Sequence, residues 1–139
     1  MKTAELTGAL LDYWAAYTTD AHKDAHRIFP TMTLDSTFSG IVLRDYPRGE
    51  HGSMLQSCVL IPNNAFRQDP QPFAPSEYWE HGGPLVEKEK LYLEWDADGY
   101  WTASHPDSRQ YKGLTPLVAA MRAVVAGHFG DDVPDEVPA

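Results

Sequence analysis

Apolar positions along the chain fall into blocks of two different periods. Leu10, Leu11, Trp14 and Ala15 recur at helical spacing behind a capping residue, Thr7, with Tyr13 and Tyr17 on the flank. This predicts a first helix ending near Thr18 or running on to Arg27, with Pro30 closing the region. Thr37 to Arg44 alternates loosely through Phe38, Ile41 and Leu43, and Met54 to Ile61 forms a second extended run before Pro62. Tyr46 to Gly52, rich in Pro and Gly, predicts the turn between them. Leu91, Leu93 and Trp95 alternate with Tyr92 and Glu94, as in a half-buried strand. Asp96 to Gly99 is a turn and Tyr100 to Ala103 the returning strand.

The last block is the best delimited. Thr115 is an N-cap and Pro116 occupies the first helical position, where a missing N–H costs nothing. Leu117, Met121, Val124, Val125 and Phe129 line one face, and Gly130 ends the helix. Together these elements predict an α+β domain over residues 1–130, two helices packed on a small, mostly antiparallel sheet. Residues 131–139 read as an acidic, disordered tail. Between the patterned blocks lie a long Pro-rich connection, Asn63 to Pro75, and a polar loop, His105 to Tyr111.

Composition narrows the function classes. The chain has 139 residues, 42% apolar and 22% charged, as expected of one folded domain. A formal charge of −9, from 11 basic and 20 acidic residues, argues against direct nucleic-acid binding. Cys58 is the single cysteine, so an internal disulfide and a cysteine-rich zinc site are excluded. No apolar run reaches membrane-spanning length, and no signal-peptide pattern opens the chain; a cytosolic protein is expected.

Candidate chemistry is sparse. His22 and His26 stand at i and i+4, a ligand spacing on a helix, but without the Glu of a zinc-protease motif. Glu94, Asp96, Asp98 and Gly99 imitate the start of a calcium loop, yet His105 stands where the closing Glu belongs. His105 and Asp107 have no motif around them, nor do Ser76, Ser104 and Cys58. Neither catalytic residues nor a cofactor or metal site is assigned.

The strongest concentration of special residues is Pro75 to Trp95. Tyr78 and Trp79 offer flat faces for stacking, and Gly82-Gly83 lets a ligand approach the main chain before Pro84 leads into a strand. A ligand site is expected from Ser76, Tyr78, Trp79, Gly82, Gly83 and Glu87, closed by Thr115 and Arg122. The N–H groups near Gly113 to Leu117 form a generic anion site, and Lys88 or Arg67 would meet an anionic ligand group.

Glu5 to Trp14, Phe73 to Leu93 and Gly113 to Val133 resemble the NinX-like family of phage proteins, a domain of unknown function. The shared residues include Pro75-Ser76, Trp79, Gly82-Gly83-Pro84 and Glu87, then Thr115-Pro116-Leu117 and Ala119-Ala120-Met121-Arg122. The runs cover a little over a third of the chain and leave Arg27 to Pro72 without a shared motif. The resemblance implies an accessory phage protein of the host cytosol. In that setting the expected role is non-enzymatic binding, and sequestration, of a small nucleotide-derived defence signal. The alternatives are a module that grips a host protein, and a metal-dependent hydrolase using the histidines. A homodimer is compatible with each.

Overall fold

The computed structural model describes residues 1–21, 23, 38–48, 53–62 and 70–137. A 3-10 turn, Thr3–Glu5, leads into α1 (Gly8–Thr19). A first antiparallel sheet follows, β1 (Phe38–Arg48), β2 (Ser53–Pro62) and β3 (Gln71–Pro72), in the order β1-β2-β3. Helix α2 (Trp79–Glu89) precedes a second antiparallel sheet, β4 (Tyr92–Asp96), β5 (Tyr100–Ser104) and β6 (Tyr111–Gly113), also in sequence order. Helix α3 (Pro116–Phe129) closes the set.

The class is α+β, built on two sheets rather than one. Helix α1 touches β1 and β2 on one side and α3 on the other, while α3 covers β5 and β6. Sandwiching explains why α1 is buried nearly all round, with Leu11, Tyr13, Trp14, Ala15 and Ala16 in the core. Trp14 meets Phe129 edge-on at 5.1 Å, joining the two helices. Helix α1 ends at Thr19, where Asp20 takes a left-handed conformation and donates its N–H to Ala16 and Tyr17 carbonyls. In α3, Thr115 Oγ1 accepts the Val118 N–H at 3.2 Å, and Gly130 closes the helix at φ +75°.

Three expectations are corrected. The Gly-Gly-Pro segment is not a turn into a strand but the body of α2. Gly82 lies where a side chain could not: a Cβ would collide with the Pro75 carbonyl oxygen and stand 2.7 Å from Leu117 Cδ2. Close packing of Gly82 and burial of Leu85 thus outweigh the poor helix propensity of two glycines and a proline. Trp95, expected on a covered face, is 59% exposed; it meets its cross-strand partner Trp101 edge-on at 5.5 Å.

The acidic tail, expected to be disordered, is docked through Val137. Val133 is buried, its N–H bonds the Met1 carbonyl, and the amino terminus bonds Val133 O at 3.0 Å and Asp135 at 2.6 Å. An acidic run beside a terminal ammonium has a partner that composition does not show. The His22/His26 pair, Arg67 and most of the Asn63 to Pro75 connection lie outside the described residues.

Candidate functional site

The turn Ala74–Tyr78 brings the three helices together. Glu77 and Tyr78 both donate N–H to the Ala74 carbonyl at 3.0 Å, and the Ala74 N–H is accepted by His81 Nδ1 at 3.0 Å. Burial holds the His81 pKa down, which keeps that nitrogen free to accept. From α1, Asp12 Oδ1 accepts the Ser76 N–H at 2.8 Å, a tie between residues far apart in sequence. Asp12 is 4% exposed, and burial pushes its pKa up to about 6 despite the Ser76 hydrogen bonds that oppose the rise.

Around this turn lies an open cavity of about 540 Å³, walled by Gly8, Ser76, Glu77, Trp79 and the start of α3, Thr115 to Val118. Trp79 is 54% exposed, and its Cε3 would stand 4.0 Å from a Cβ on Gly83, so the indole lies over its own helix. A recess of about 220 Å³ opens beyond Gly8 and Glu77, bounded by Asp12, Cys58, Phe73 and Tyr78 among others. Burial, then the nearby Asp12, push the Cys58 thiol far up, which makes it inert.

Of the eight residues expected to form a site, Ser76, Trp79 and Thr115 line the cavity together. Tyr78 faces the neighbouring recess. Gly82 is packed against Pro75 and Leu117, so it serves helix contact and not ligand approach, and Gly83 supports the indole. Glu87 is exposed further along α2 and borders neither space. Arg122 does not close the site: its Nε bonds Leu6 O at 3.0 Å and Nη1 bonds Lys112 O at 2.7 Å. Sequence reasoning missed Gly8, Glu77 and Val118 as lining residues, and Asp12 as the anchor behind Ser76.

Asp96, Asp98 and His105 have structural contacts. Asp96 to Gly99 is a hairpin turn in which Asp96 Oδ1 accepts the Asp98 N–H at 2.8 Å. His105 lies 3.7 Å from Glu89 and packs on Gly127. Among the described residues, no group of three His, Cys, Asp or Glu could hold a metal ion, and no helix is long and apolar enough to cross a membrane.

Fold and site define a small α+β domain with an aromatic-rimmed cavity between its helices. A profile of the family described as Bacteriophage P22, NinX matches residues 2–128, and the chain belongs to that family. The match runs through Arg27 to Pro72, where the sequence alone offers no shared motif. No curated protein matches the chain.

Proposed function

We propose that this phage-family protein is a non-enzymatic binding protein, and that it sequesters a small nucleotide-derived ligand in the host cytosol. The ligand's planar base lies on Trp79, in the cavity that Ser76 and Thr115 help to wall. The observation that carries this reading is the half-exposed indole at the edge of a cavity of about 540 Å³, a volume within the range of small-molecule sites. Stacking of one base on such a ring is worth about 1–3 kcal/mol. The cavity's two hydroxyls are held structurally, Thr115 Oγ1 as the α3 cap and Ser76 against the buried Asp12, which suits binding over turnover.

The test is a mass spectrum of small molecules released by heat from protein purified out of phage-infected cells. The expected result is a stoichiometric, chemically unaltered base-containing compound, absent from a Trp79→Ala preparation. An empty wild-type protein, or a cleaved product, would count against it.

A second reading has its own observation. Trp95, 59% exposed, lies edge-on to its cross-strand partner Trp101 at 5.5 Å, an apolar pair on the second sheet. Such apolar surface suits a host-protein partner. A stoichiometric protein retained by wild type and lost on Trp95→Ser would favour that reading.

A further inference from the structure

We infer that the group this cavity takes is a planar cation and that phosphate is excluded from it. The inference rests on the cavity being a ligand site, and it narrows the ligand's chemistry. Among the lining residues, Glu77 is the one charged side chain; Ser76 and Thr115 are neutral, and the rest are apolar or glycine. Of the cations expected to meet an anion, Arg67 lies outside the described residues, and Arg122 and Lys88 are committed elsewhere. Arg122 donates to Leu6 and Lys112 carbonyls, and Lys88 Nζ donates to the Thr19 carbonyl at 3.3 Å.

The start of α3 is also poorly equipped for an anion. Pro116 has no N–H, the Val118 N–H is taken by Thr115 Oγ1 and the Ala119 N–H by Thr115 O at 3.2 Å, which leaves the first turn a single further donor, Leu117. A phosphate entering here would shed water without gaining a charge partner, and would approach Glu77 in a chain of net charge −9. A flat cation meets the opposite conditions. The face of Trp79 attracts positive charge through its quadrupole, and the Glu77 carboxylate supplies the counter-charge. A base made cationic by alkylation of a ring nitrogen combines the flat shape with the charge.

Calorimetric titration with 1-methyladenosine, adenosine and adenosine monophosphate tests this on the whole chain. These probes share a purine and differ in charge. The expected affinity order is methylated cation, then neutral nucleoside, then monophosphate, the first step by roughly fivefold, the factor for one unit charge at about 4 Å in a water-like medium, and the second by at least that, since the phosphate carries nearly two charges. Glu77→Gln, at an exposed position, should keep the thermal midpoint and compress the order to within about twofold. Equal or tighter binding of the monophosphate, or an order unchanged in Glu77→Gln, overturns the inference while leaving the cavity a ligand site. Failure of all three probes overturns both.

Discussion

Helices α2 and α3 meet at the cavity and are held in shape by different means. Helix α3 is self-sufficient: a side-chain cap from Thr115, Pro116 at its start, an unbroken apolar face and a positive-φ glycine at its end. Helix α2 carries Gly82, Gly83 and Pro84 inside it, and Tyr78 at its N-cap makes no side-chain cap bond. What holds α2 is contact: Gly82 against Pro75 and Leu117, Leu85 in the core, and the Ser76 turn tied to Asp12. The helix that carries the ligand-facing indole is therefore the one whose stability is borrowed from its neighbours.

Gly82→Ala breaks that dependence most severely. Its methyl group meets a backbone oxygen that cannot rotate away, so a loss of about 3 kcal/mol is expected in urea unfolding. Next in size is the effect of pH through Asp12. With its folded pKa raised to about 6, Asp12 keeps its proton in the folded chain after the unfolded chain has released it. Stability should therefore fall as pH rises from about 4 to about 6, by on the order of 2–3 kcal/mol, and stay level above that window. Asp12→Asn retains an oxygen acceptor for the Ser76 N–H, and the difference between wild-type and variant curves should contain that slope. Parallel curves would mean that Asp12 titrates normally.

Thr115→Ala removes the α3 cap and should cost about 1 kcal/mol. Because α3 is also held by its apolar face, the cavity should survive. The smallest expected effect has the opposite sign. Gly83→Ala gives α2 a better helix former with ordinary contact to Trp79, and should raise stability by about 0.5–1 kcal/mol. If Gly82→Ala and Gly83→Ala behave alike in thermal melts, α2 is governed by propensity and the contrast with α3 fails.

The same contrast explains what could be read from the chain. Helix α3, the β4–β5 hairpin and the α1 stripe declare themselves through local signals: a cap, a Gly-containing turn, a period. Helix α2 does not, because the groups that make Gly82 favourable are Pro75 and a leucine in another helix. Strands β3 and β6 have two and three residues, too few to show alternation. For the site, Trp79, Ser76 and Thr115 stood out by residue type. Asp12 could not, since its partner Ser76 is 64 residues away. Arg122 looked like an anion partner because its charge is visible in sequence, whereas the Leu6 and Lys112 carbonyls that engage it are not.

Landing of a planar ligand at the Trp79 cavity can be read directly from the indole N–H signals. The chain's four tryptophans, Trp14, Trp79, Trp95 and Trp101, give four indole N–H resonances, assignable by substitution. Adding 1-methyladenosine should move the Trp79 resonance and leave that of Trp95, similarly exposed but not part of the cavity lining, in place. Movement at Trp95 and Trp101 with Trp79 unchanged, or at no indole, would contradict the account.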